Sequence, residues 1–311
     1  MFNYYIIIAT YNAIPWLDKC LASIDFQKYK VVVVDNNSQD DTVKRIEKDY
    51  PQIKLFKEKE NLGFGQANNR GISYALNEGA AQVFLLNQDA YLIDDCLEKL
   101  VQFQTNNREY VILSPIHTNA EVTRLDRNFS NYVRYESNPD FYSDFVLGKE
   151  KKPVYEVPFV NAAGWLISRD CLMTVGGFDP IFFHYGEDDN YCQRVSYHGF
   201  KIGVIPDALM VHDREDRKNP SIEMYTDAYF KLQERKLKII HGNLNTYNPS
   251  SLVNQKRNVK KQLIKARIKR NHKAIEGLKK TIQLIDKCDH DIIKSIALNK
   301  QKQPNYLDVS N

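Results

Sequence analysis

What this chain of 311 residues lacks narrows it first. Its five cysteines (Cys20, Cys96, Cys171, Cys192 and Cys288) are odd in number, scattered, and form no Cys-x-x-Cys pair. That argues against a disulfide framework or a zinc site and for a reducing compartment. No window approaches the roughly 18 apolar residues of a membrane span. The opening MFNYYIIIATYN has a short apolar run and no basic stretch before it, so no secretory signal is expected. No recognised nucleic-acid-binding motif is present, so nucleic acid is not an expected partner. The expectation is a soluble cytoplasmic protein, one large domain or one domain with an appendage.

Charge is unevenly spread. The net +4 conceals a tail, Gln255 to Asn311, with 15 Lys/Arg against 5 Asp/Glu, and a body with 28 against 34. A mildly acidic body thus carries a strongly basic tail.

What is present in the first third is alternation. Tyr4–Ala9, Val31–Val34, Ile53–Phe56 and Val83–Leu86 read as buried strands. Ala13–Ile24, a segment from Asp40 or Asp41 to about Tyr50, and Gly65–Asn77 have helical spacing. Short apolar strands alternating with helices predict βαβ units and a mainly parallel sheet covered on both faces, an α/β fold. Ligands of such sheets sit at the carboxyl ends of the strands. Three polar clusters stand at those ends: Thr10-Tyr11-Asn12, Asp35-Asn36-Asn37 and Asn87-Gln88-Asp89.

Further on, Tyr110–Leu113 and Val157–Asn161 look like strands, and 124–152 reads as a loop or small insertion. Ser168 is placed to cap a short helix through Thr174, which Gly176-Gly177 stops. Gly186–His198 has helical spacing, Lys201–Ile205 and Leu209–His212 read as two strands, and 222–240 as a helix. Asn248–Pro249 reads as a break before a long basic helix over 251–287, with Gly277 its weak point and the last ten residues frayed.

The stretches ATYN (9–12), VVVVDNNSQDDT (31–42), NLGFGQANNRGI (61–72), LLNQDA (85–90) and NAAGWLISRDCLMTVGGFDPIFFHYGEDDNYCQRVSYHGFKIGVIPDALMVH (161–212) occur in this order. Together they resemble the inverting nucleotide-sugar glycosyltransferases of family 2, close to bacterial rhamnosyltransferases and galactofuranosyltransferases. The resemblance spans roughly residues 4–212 and implies a GT-A fold. That fold would occupy about 1–240, with a nucleotide half to about 115 and an acceptor half from about 116. A basic helical extension would follow over 241–311.

The resemblance also implies roles. Tyr11 would offer an aromatic face to a nucleotide base, and Asp35 an acceptor for a uracil or thymine imide N–H, pointing to a dTDP- or UDP-sugar donor. Thr10 and Asn12 would fix the loop or the ribose, and Asn68 would touch the nucleotide. Gly63 and Gly65 would let backbone approach the ligand. Where the superfamily often carries Asp-x-Asp, this chain has Asn87-Gln88-Asp89. That leaves Asp89, with His212, to hold Mg2+ or Mn2+. In GEDDNY (186–191), Asp188 would be the general base and Glu187 its neighbour on the acceptor side. Asn190 stands where the family has a further Asp. Arg194 reads as a structural partner of the acids, and Trp165 with FFHY (182–185) as an aromatic acceptor wall.

Bland readings compete at each point. Asp35 can simply open a turn, His212 can be a locally bonded histidine, and three acids can cap a helix. The apolar residues of the tail either lie on an anionic membrane or pack against the body or a second subunit. The expected activity is an inverting, metal-dependent transfer of sugar to a saccharide or lipid-linked saccharide in surface polysaccharide synthesis. The alternatives are a non-catalytic carbohydrate- or membrane-binding protein on the same scaffold, or a sugar-phosphate nucleotidyltransferase. The last lacks its Gly-rich, basic phosphate loop, since ATYNAIP follows the first strand.

Overall fold

The computed structural model describes residues 3–214 and 221–310. Nine strands form one sheet: β1 (Tyr4–Thr10), β2 (Lys30–Asp35), β3 (Lys54–Lys57), β4 (Gln82–Leu86), β5 (Ala90–Leu92), β6 (Tyr110–Thr118), β7 (Tyr155–Glu156), β8 (Gly164–Ser168) and β9 (Lys201–His212). Their order is β3-β2-β1-β4-β8-β6-β9-β5, with β7 also on β9. The four strands β3-β2-β1-β4 are parallel, as the alternation predicted. β8 runs antiparallel between β4 and β6, and β5 runs antiparallel to the end of β9.

Side chains alternate across the sheet as a period of two requires. Tyr5, Ile7, Val32 and Val34 enter one core with Trp165, Phe178 and Tyr191. Ile6, Ile8, Val31 and Val33 enter the other with Phe84, Leu166 and Met210. Both faces are therefore buried, which explains the uninterrupted VVVV and IIIA runs.

Several local expectations need correction. The first helix is only Leu17–Ala22. Val157–Asn161 is not a strand; pairing falls to the two residues of β7 and to β8, which Ala162-Ala163-Gly164 disguised as loop. The two strands expected over 201–212 are one, with an irregularity where β6 and β9 shift register between Pro115 and Ile116. The segment 124–152 contains helices Phe129–Tyr132 and Pro139–Val146, and Asn138 Oδ1 caps the latter by accepting from the N–H groups of Asp140 and Phe141. Ser168 caps the helix Arg169–Thr174 as expected.

The C-terminal third makes a separate core. Helices Asp227–His241, Pro249–Ile268 and His272–Asn299 pack through Leu237, Leu252, Leu263, Leu278, Ile285 and Ile292. Asn248–Pro249 starts a helix instead of breaking one: the Asn248 side chain accepts from Ser250 N at 2.9 Å, and proline suits the first helical position. The single long helix is two, turning at Lys269–Asn271, where Arg270 takes φ +52°. Gly277 is a close-packing point, since a Cβ there would lie 2.1 Å from the Tyr225 ring.

The last residues are docked, not frayed. Asn305 O accepts from Gly177 N at 2.8 Å, and Asn77 bonds both Asp308 and Ser310. No helix among the described residues is long and apolar enough to cross a membrane.

Candidate functional site

The three polar clusters do meet at the carboxyl end of the sheet. Thr10 and Asp35 are register partners at the ends of β1 and β2, and the Thr10 hydroxyl donates to Asp35 Oδ1 at 3.0 Å. Ser38 adds its hydroxyl to Asp35 Oδ1 and its N–H to Oδ2. Asp35 is thereby buried at the base of a closed turn. Asn12, at φ +51°, accepts from Gln39 N and gives its own N–H to Ser38 Oγ. Tyr11 is left 46% exposed above this floor, which leaves a free aromatic face.

Sequence reasoning missed two amides that hold these loops. Gln88 clamps the Tyr11 backbone: Oε1 accepts from Tyr11 N at 2.8 Å and Nε2 donates to Tyr11 O at 3.2 Å. Asn36 ties the second loop to the third, accepting from Leu62 N and donating to Gly63 O. Their signal was the excess of amides after each strand, more than a turn requires. Asn68 is buried and its Nδ2 donates to Phe64 O, four residues back in the helix Gly63–Asn77.

Gly63 and Gly65 approach protein, not open space. A Cβ on Gly63 (φ +78°) would fall 1.9 Å from Phe183 O, and one on Gly65 2.8 Å from Phe178 Cβ. The expected ligand cradle is instead the joint between the helix and the 178–185 segment. The aromatic wall is likewise revised. Trp165 is fully buried and stacks on Phe178, 6.1 Å between centroids, and Phe182 is buried. Phe183 and Tyr185 remain exposed.

The second half of the site forms where β5 meets β9. Ala90 pairs with His212, so Asp89 and His212 come together, with His212 Nε2 3.6 Å from Asp89 Oδ1. Both are nearly inaccessible, at 3% and 1% exposure. His212 Nδ1 and Asn87 Oδ1 are buried without a hydrogen-bond partner among the described residues. His117 stacks edge-on to His212 at 5.8 Å, and burial pushes its pKa down, so it stays neutral beside its neighbour.

One carboxylate oxygen, one imidazole nitrogen and an orphaned amide oxygen fit a Mg2+ or Mn2+ completed by phosphate and water oxygens. No group of three or more His, Cys, Asp or Glu arranged for a metal occurs among the described residues.

The acids open the helix Glu187–Tyr197. The turn before them is strained: Tyr185 has φ +68° and Gly186 φ +97°. Glu187 is buried and its Oε2 makes no hydrogen bond among the described residues. Burial, with the charge of Asp188 adding, pushes its pKa up to about 8. Burial and the neighbouring Asp189 raise Asp188 to about 6, against the pull of N–H groups from Asp189 and Ala162. Arg194 does not face these acids. It is buried, donating to Asn190 Oδ1 and to the carbonyls of Val175 and Gly177. Arg235 answers the acids instead, its charge partly offsetting the burial that raises Glu187 and Asp189, while it lies over the Tyr185 ring at 5.3 Å.

One short segment joins the two halves. The Ala162 N–H helps hold the Asp188 pKa down, and Ala163 O accepts from Asn87 N at 2.9 Å. Ala162 and Ala163 are adjacent, so one short segment borders both the acids and the Asn87-Gln88-Asp89 turn. Two acids with raised pKa values, the Asp89–His212 contact and an exposed aromatic thus gather at the carboxyl end of the sheet.

A family model described as glycosyl transferase family 2 matches residues 5–175. The dTDP-rhamnosyl transferase RfbF of Shigella flexneri is 26% identical over 217 residues, covering 69% of this chain and 70% of its own. The N-acetylglucosaminyl-diphospho-decaprenol L-rhamnosyltransferase of Mycobacterium tuberculosis is 25% identical over 235 residues, 67% of this chain and 75% of its own. Among solved structures, GalNAc-T7 with UDP, GalNAc and Mn2+ aligns with TM-score 0.57 at 15% identity. It covers 78% of this chain, which spans about half (48%) of that one, and shows the shared GT-A fold.

Proposed function

The chain belongs to glycosyl transferase family 2, and from that premise we propose an inverting, metal-dependent transferase. It takes a sugar from a dTDP- or UDP-linked donor to a saccharide or lipid-linked saccharide acceptor in surface polysaccharide synthesis. The observation that supports this reading is the Ala162–Ala163 segment, whose backbone acts on Asp188 through Ala162 and accepts from Asn87 N through Ala163. Asp188 takes the proton of the acceptor hydroxyl as that oxygen bonds to the anomeric carbon and the nucleoside diphosphate leaves with the electron pair of its bond. Such a base contributes about 10²–10⁴ in rate.

Asp89 and His212, with the unpaired Asn87 Oδ1 as a further candidate, would hold Mg2+ or Mn2+, which would supply positive charge for a departing diphosphate. Tyr11 stacks on the pyrimidine, and Asp35 Oδ2, engaged among the described residues only by Ser38 N, receives the imide N–H. Thr10 and Asn12 keep the loops around the nucleotide in place, and Asn68 braces the first turns of the helix Gly63–Asn77. Glu187, neutral near pH 7, borders the acceptor side without adding a second charge.

The test is nucleotide release from dTDP-rhamnose and UDP-sugars with a disaccharide or lipid-linked acceptor and Mn2+, with the anomeric configuration of the product read by NMR. An inverted product whose formation fails in Asp188→Asn supports the reading. No release of any nucleotide above that of the same variant would leave a carbohydrate-binding protein on a transferase scaffold.

A further inference from the structure

The apolar stripe that the tail offers in sequence is already covered. Leu252, Val259, Leu263 and Ala266 of the helix Pro249–Ile268 are buried within the C-terminal bundle. The outward face of the same helix has its own pattern. Val253, Ile264 and Ile268 are exposed, Ile268 by 77%. Arg257, Lys260, Lys261 and Arg267 are exposed around them. With 3.6 residues per turn, these seven positions fall within about a third of the helix circumference.

The charge on this face is unbalanced. No Asp or Glu occurs from Pro249 to Ile275. Lys256 and Lys273 pair with Asp286 and Glu223, but the four cations of the face form no ion pair among the described residues. A second copy of the chain would bring the same basic face to a two-fold contact, opposing like charges. A nucleic-acid backbone would answer the cations and leave the aliphatic residues in water. An anionic bilayer surface answers both: aliphatic residues sink toward the acyl boundary while Lys and Arg remain at the phosphates.

We propose that this outward face of the helix Pro249–Ile268 docks the protein on an anionic phospholipid surface. Attraction comes from the cations and is weakened by salt, and the three aliphatic residues add a salt-resistant part. The readout involves no sugar chemistry, so it succeeds or fails separately from the proposed transferase activity.

The experiment is co-sedimentation of the full chain with vesicles of phosphatidylcholine alone or carrying phosphatidylglycerol. Binding is expected to be about ten-fold or more tighter to the anionic vesicles, and to fall with salt. The combined Arg257→Gln, Lys260→Gln, Lys261→Gln, Arg267→Gln variant loses that preference. Ile264→Ser with Ile268→Ser weakens binding severalfold at high salt. Substituting Lys48, Lys54, Lys59 and Lys149 by Gln removes equal charge elsewhere and leaves lipid binding intact. All are surface changes, and an unchanged melting temperature confirms folding. Equal binding to both vesicles, no binding, or undiminished binding by the four-fold variant overturns the proposal. So does a dimer in sedimentation equilibrium that the isoleucine variant dissociates while vesicles bind neither form.

Discussion

At the ends of β1 and β2, Asp35, Asn36 and Asn12 commit their polar atoms to neighbouring loops, whereas in the turn after β4, at the end of β9 and in the first turn of the helix Glu187–Tyr197, Asn87 Oδ1, His212 Nδ1, Glu187 Oε2 and Asn190 Nδ2 are buried with no hydrogen bond among the described residues. Buried polar atoms are nearly always paired, and an orphaned one is costly. The satisfied side therefore holds a shape, and Tyr11 is the group it presents. The unsatisfied side holds capacity for chemistry: a carboxyl that retains its proton, and a histidine nitrogen and an amide oxygen without partners among the described residues. A transferase needs both, a rigid floor for a nucleotide and a reactive edge completed by substrates.

The contrast is broken most severely at Asp188. Replacing it with Asn is expected to lower transfer by about 10²–10⁴ with donor affinity unchanged, measured by product formation beside nucleotide titration. Loss of donor binding instead would move Asp188 to the donor side.

Next comes the joint between the two sides. Gly63→Ala puts a Cβ against Phe183 O at a positive φ, and a destabilisation of about 1–3 kcal/mol is expected in urea unfolding. Asp35→Ala leaves the Thr10 and Ser38 donors unpaired, which costs about 1–3 kcal/mol and weakens pyrimidine nucleotide binding. If Asp35→Ala alters stability alone, the turn reading of that residue is sufficient.

Further effects are pH-dependent. Asp188 acts ionised and its pKa is raised to about 6, so kcat/KM should fall as pH drops through that value. Glu187 prefers its proton in the fold. Its contribution to stability is complete below the ordinary 4.5 and is lost as pH rises toward about 8. Glu187→Gln should flatten that decline, so the variant melts higher than the parent above pH 8, where unchanged melting curves would place the shift elsewhere.

The parallel half of the sheet was legible because its strands are buried on both faces and therefore read as continuous apolar runs. β8 was not, because Gly164 lies against Met210 and looks in sequence like a loop glycine. Trp165 was misplaced for a related reason: an aromatic after small residues serves a core as well as a sugar. The polar clusters were located correctly, but their internal division of labour depends on loop-to-loop bonds such as Gln88 to Tyr11 and Asn36 to Gly63, which join residues 27 to 77 positions apart. The tail's two amphipathic faces were indistinguishable until the bundle showed which one is buried.

The most direct test of the site is calorimetric titration of dTDP and UDP with and without Mn2+ on the parent chain and on Asp89→Ala. One pyrimidine nucleotide should bind about ten-fold or more tightly with Mn2+, and Asp89→Ala should abolish that gain. Equal affinity with and without the ion, unchanged in Asp89→Ala, would contradict a metal at Asp89 and His212 and with it the metal-assisted departure of the nucleotide.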